Sequence, residues 1–181
     1  MGFMVAVIAC AGTLSAALTF YYLHLGDNNI LLETTATYDL VVQYDLPGRE
    51  IHCRCLIPLS NKGKQQGMVN NVFCQPVYCG KVMKKLEIIS HLHLTREPSR
   101  ENGYWESLIL KTNDYFITEL EVVIRSQVPI PSLLQEVPRL TILIYYQVVG
   151  RKGIQWRLAE LPLPLKRKIH PRTELKKVKG G

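Results

Sequence analysis

From Gly2 to Gly26 the chain carries no Asp, Glu, Lys or Arg, and no other feature restricts its fold as much. Read as helix from Phe3 to Leu23, this run is about 30 Å long at about 1.5 Å per residue, enough for a bilayer's hydrocarbon core. Tyr21 and Tyr22 then fall where interfacial aromatics sit. A soluble core helix of this kind would have to bury an apolar surface on every side. A secretory leader cleaved near Ser15-Ala16-Ala17 is the rival, but the positive n-region is missing and the apolar run continues past that point. The stretch Val7-Ile8-Ala9-Cys10 loosely resembles a lipobox, on a leader too short and uncharged for one. We read residues 1–26 as an uncleaved transmembrane anchor held by membrane lipids. Gly12 and Ala16 form a small-xxx-small pair on which a helix of another membrane subunit could pack closely.

After Gly26 the pattern changes to alternation. In "ATYDLVVQY" it places Ala36, Tyr38, Leu40, Val42 and Tyr44 on one side of a strand, and "DLPGR" at 45–49 reads as a turn. Further strands are expected in "EIHCRCLIPL", around 68–74, and in "KKLEIISHLHLT", "YWESLIL", "YFITELEVVIR", "RLTILIYYQVV" and "IQWRLAEL". Gly150 and Gly153 bracket a short hairpin loop, whereas three prolines make 128–138 a long connection. About eight strands with short links and no convincing amphipathic helix predict a mainly β fold over 27–165: an antiparallel β-sandwich, immunoglobulin-like or Greek-key. In its core, Trp156 with Ile154 and Leu158 is expected against Ile142 and Ile144. The Cys–Trp–Cys spacing of antibody domains is absent.

The formal charge of +7 belongs to one end. Residues 166–181 hold Lys166, Arg167, Lys168, Arg172, Lys176, Lys177 and Lys179 against Glu174, leaving the rest near neutral. A nucleic-acid-binding face would spread its cations through the domain, so no nucleic-acid partner is expected. The tail reads as a solvated, disordered end. Its functional alternative is contact with anionic lipid or an acidic partner through Lys166, Arg167, Lys168, Lys176 and Lys177.

Four of the five cysteines lie between 51 and 80. Cys53 and Cys55 share a strand face with Ile51 and Ile57, the surroundings of core thiols. Structural zinc takes Cys pairs from turns, and neither Cys-x-Cys in a strand nor Cys74-x4-Cys79 fits that spacing. The reading is no metal and no cofactor, with Cys53, Cys55, Cys74 and Cys79 as the alternative metal or thiol-redox set. A disulfide from this strand would run to Cys74 or Cys79, because Cys53 and Cys55 sit at the limit of bridging distance. His91 and His93 share a strand face to which His52 could add a third nitrogen, although a solvated face is the commoner outcome and no carboxylate is near in sequence. "SRENGYW" at 99–105 reads as a loop leading to a core aromatic, with a binding tip as the alternative.

No nucleophile elbow, phosphate loop or metalloprotease helix is present. The expected function is therefore a non-enzymatic interaction, assembly or accessory subunit, membrane-anchored and single-pass. The alternative is a membrane-tethered metal or thiol-redox handler. Orientation has little to rest on: Arg49 is the first cation after the helix, and no glycosylation sequon occurs. Of the two sides, the extracytoplasmic one is preferred for the sandwich.

Overall fold

Alternation drives nine strands into two antiparallel sheets in a computed structural model that describes residues 2–36, 38–45, 47, 49–77, 84–95, 105 and 107–166. The uncharged run forms α1 (Gly2–His24), and Gly26, at φ 70°, lets the chain leave it. The strands are β1 (Ile30–Leu32), β2 (Tyr38–Asp45), β3 (Glu50–Asn61), β4 (Gly67–Val77), β5 (Leu86–Leu94), β6 (Leu108–Leu110), β7 (Tyr115–Ser126), β8 (Arg139–Gly150) and β9 (Gly153–Pro164). The first sheet runs β1-β3-β7-β5, with β2 also pairing β3; the second runs β6-β4-β8-β9. From β3 to β8 consecutive strands alternate between the sheets, as in an immunoglobulin-like sandwich.

The core lies between the sheets. On one side stand Ile51, Cys53, Cys55, Ile57 and Leu59 of β3 with Leu120, Val122 and Ile124 of β7. Facing them are Leu140, Ile142, Ile144, Tyr146 and Val148 of β8. Trp105 is buried beside this core, as the loop reading expected, and its indole Nε1 donates to Val69 O at 3.3 Å. The proline-rich connection holds a seven-residue helix, α2 (Ile130–Glu136), which buries Ile130 and Leu133. Proline at its start needs no N–H partner there.

Two expectations are corrected. On β2 the regular face breaks at a register shift between Tyr38 and Val41, with Asp39 at φ 52°, and Ala36 lies in a 3-10 turn. Among the described side chains of that face Val42 is buried, and Leu40 and Tyr44 pack partly against the core. On β9 the phase is opposite to that expected. Ile142 pairs Leu161 and Ile144 pairs Ala159, so Ala159, Leu161 and Leu163 point inward. Trp156, Ile154 and Leu158 point outward, at 55%, 64% and 50% exposure. A one-residue slip exchanges the faces of a strand. Here the repeated leucines of "LPLPL" set the phase, and Pro162 and Pro164 are tolerated because β9 is an edge strand.

Candidate functional site: the helix junction and the outer faces

The loops that meet α1 come from three places in the sequence. Residues 27–29 lie along 62–64, with Lys62 N donating to Asn29 O and Lys64 N to Asp27 O, both at 2.9 Å. Asn61 ties the corner together. Its Oδ1 accepts from Asn29 N and Gly63 N, each at 3.0 Å, and its Nδ2 donates to Gln65 O at 2.8 Å and to Leu110 O and Lys111 O at 3.2 Å. From the β8–β9 hairpin, Arg151 Nη2 donates to Tyr22 O at 2.8 Å while its guanidinium sits 3.3 Å from the Tyr22 ring centroid. A cation is well placed there, because the last carbonyls of a helix carry partial negative charge. Lys152 pairs with Asp27 at 3.3 Å. The sandwich thus grips the end of α1, which is long and apolar enough to cross a membrane and is left uncovered along its span.

The cysteines of β3 and β4 lie in the core region. Cys53 and Cys55 are buried, Cys74 is half-buried, and all three are free thiols. Burial, with the neighbouring Cys55, pushes Cys53 and Cys74 up to about 12; burial and Glu119 do the same to Cys55. Metal binding and thiol exchange need the thiolate, which these surroundings disfavour. Cys79 lies outside the described residues. Gly12 and Ala16 are exposed on α1, with open space where a Cβ at Gly12 would stand. Lys166 is exposed beyond β9, at the sandwich end away from α1, where its N–H approaches Pro138 O. Arg167, Lys168, Lys176 and Lys177 lie outside the described residues.

The outer face of the first sheet is a ladder of opposite charges. Arg54 reaches Glu119 at 2.7 Å and Glu121 at 2.5 Å; Arg125 reaches Glu50 at 2.8 Å and Glu87 at 3.5 Å. Cross-strand register puts His93 opposite Glu119, at 3.5 Å, and His91 opposite Glu121. His52 is not brought to them; it faces Val123 and bonds Glu50 at 3.1 Å. Ligand atoms of His93, Glu119 and Glu121 lie within 4.8 Å of one another, a grouping that sequence proximity could not reveal. The Arg54 guanidinium already spans both carboxylates, so a metal ion there would have to displace it.

The second sheet's outer face is different. Nearest α1, one row crosses all four strands as Ile109, Met68, Val149 and Ile154. Next come Gln147 and Trp156, then Phe73, Tyr145 and Leu158. Phe73 stacks on Tyr145 at 4.9 Å between centroids and meets Trp156 edge-on at 5.8 Å. Beyond them Gln75, Leu143 and Glu160 begin the more polar half. Sequence reasoning missed this face because it assigned Trp156 to the core.

Among solved structures, the chain is similar to a protein described as ApaA from Bordetella pertussis, with 14% identity, 78% of this chain and 96% of that one covered, and TM-score 0.40. It is also similar to the GAE domain of yeast GGA1 (14% identity, 75% and 98% covered, TM-score 0.36) and to that of GGA2p from Saccharomyces cerevisiae (11%, 76% and 97%, TM-score 0.37). No curated protein matches the sequence. Residues 49–167, more than half of the chain, match the model of the F420-0:gamma-glutamyl ligase N-terminal Ig-like domain. They run from the turn before β3 to just past β9, and on that match the chain belongs to this Ig-like domain family.

Proposed function

We propose that the protein is a single-pass membrane protein whose Ig-like domain serves as a non-enzymatic interaction, assembly or accessory subunit. The observation that carries this reading is α1: an uncharged span of 21 residues, uncovered by the sandwich yet clasped by it at its last turn. A helix that belonged to the core would be covered. Its Thr13 and Thr19 hydroxyls donate to carbonyls within the helix, at 3.0 Å to Cys10 O and 2.8 Å to Ser15 O, as a lipid-exposed helix requires. The family match concerns the Ig-like domain of a ligase family, a domain that does not by itself imply ligase chemistry.

The partners fitting this reading are lipids around α1 and other membrane subunits packing at Gly12 and Ala16, with the sandwich on the extracytoplasmic side. Alkaline carbonate should leave the mature protein in the membrane, with residues 1–26 still present by N-terminal sequencing. Gly12→Leu with Ala16→Leu should reduce recovery of co-purifying membrane proteins after mild detergent extraction. Release by carbonate, or a mature chain beginning after Ala17, would refute the anchor.

A further inference from the structure

We infer that the outer face of the second sheet rests against the headgroup region of the membrane that holds α1, with Trp156 inserted at that interface. The inference rests on the anchored reading and adds the surface that meets lipid. Three observations carry it. First, polarity changes with distance from the helix end. The row nearest α1, Ile109, Met68, Val149 and Ile154, is apolar across the width of the sheet, with Ile109 at 60% and Ile154 at 64% exposure. In the next row Trp156 stands beside Gln147, which Asn71 bonds at 3.1 Å; Phe73, Tyr145 and Leu158 follow, and Gln75 and Glu160 lie beyond them. A water-to-lipid boundary has this profile, with aromatic side chains enriched at headgroup level.

Second, the row is continuous with the junction. Ile154 follows the hairpin glycine Gly153, and Arg151 of that hairpin holds Tyr22, the last residue of the apolar span. At about 3.3 Å per residue, Trp156 stands roughly 10 Å along β9 from Gly153, within reach of the interface. Third, the charges around the helix end suit an anionic surface. Lys62, Lys64, Lys111, Arg151 and Lys152 gather there against Asp27, Glu33 and Asp114, and although Lys62 pairs with Glu33 and Lys152 with Asp27, the cations outnumber the carboxylates by two. The outer face of the first sheet shows no such apolar row; it carries the Arg54–Glu119–Glu121 and Arg125–Glu50 ion pairs.

The chain's two tryptophans make a test possible in the intact protein, since Trp105 is 6% exposed while Trp156 is 55% exposed. The full-length protein is reconstituted into phosphatidylcholine–phosphatidylglycerol vesicles whose acyl chains carry bromine near the headgroups, and into unbrominated ones. Trp156→Phe, which retains an aromatic ring, supplies the Trp105 signal for subtraction. We expect bromine to quench the Trp156 emission by at least half and to leave that of Trp156→Phe unchanged. Vesicle flotation in alkaline carbonate separates the two claims. A protein that floats while Trp156 is unquenched overturns the resting face and leaves the anchor standing. A protein that does not float overturns both.

Discussion

Asn61 meets five backbone groups at the corner where the sandwich meets α1: Oδ1 accepts from two N–H groups, and the two Nδ2 hydrogens are shared among three carbonyls. Asn61→Ala would leave several backbone groups without their partner; we expect a loss of about 2–4 kcal/mol in urea unfolding. Gly63 is constrained from the other side, since an added Cβ would lie 2.3 Å from Asn29 N and 2.4 Å from Asp27 O. Neither role is legible in "SNKGKQQG", which reads as any polar loop, because the distant partners, Asn29, Leu110 and Lys111 of Asn61 and residues 27–29 against Gly63, lie outside it. The thiols were more readable: period two alone puts Cys53 and Cys55 with Ile51 and Ile57. Burial raises their folded pKa to about 12, above the ordinary thiol value of 9.0, so the unfolded state releases these protons first. The thiols therefore add stability that is fully present below pH 9 and is lost as pH rises toward 12. Denaturant midpoints should fall through that window, and fall less for Cys53→Ala with Cys55→Ala at matched pH.

At the scale of the element, β8 and β9 show when a pattern suffices. On β8 the residues Leu140, Ile142, Ile144, Tyr146 and Val148 alternate with more exposed neighbours along the whole strand, and either end predicts the same face. On β9 the first half offers Ile154, Trp156 and Leu158 at even positions, while the second offers Leu161 and Leu163 at odd ones. Only one phase can satisfy β8, and the register with Ile142 selects the leucines. Leu161→Ala should therefore cost about 2–5 kcal/mol in chemical unfolding. Trp156→Ala should cost only about 0.5–1.5 kcal/mol, the value of its edge-on aromatic contact with Phe73. Equal losses for the two variants would reverse the phase of the strand. The charge ladder was illegible for a related reason: His93 and Glu119 are adjacent only through the β5–β7 register.

For the molecule as a whole, the buried core contains no residue of α1 among the described residues. Removing residues 1–26 should yield a folded domain in which circular dichroism retains its strand signal and unfolding stays cooperative. The sandwich class was legible because alternation and turn residues act locally, whereas the clasp on α1 joins groups from opposite ends of the sequence. Arg151→Ala should leave stability within about 1 kcal/mol of wild type, since an exposed cation–π contact is worth about 0.5–1 kcal/mol, and should loosen the helix. Spin labels on α1 and on β8 would register this as a broader distance distribution. The clasp also has a consequence in time. Tyr22 and Arg151 are 129 residues apart. At a synthesis rate of roughly 5–20 residues per second, about 6–26 s separate the making of the helix end from the making of its clasp. The pairing of residues 27–29 with 62–64 becomes available much earlier. A growing chain therefore anchors first, docks its linker next, and closes the clasp only when its last hairpin leaves the ribosome.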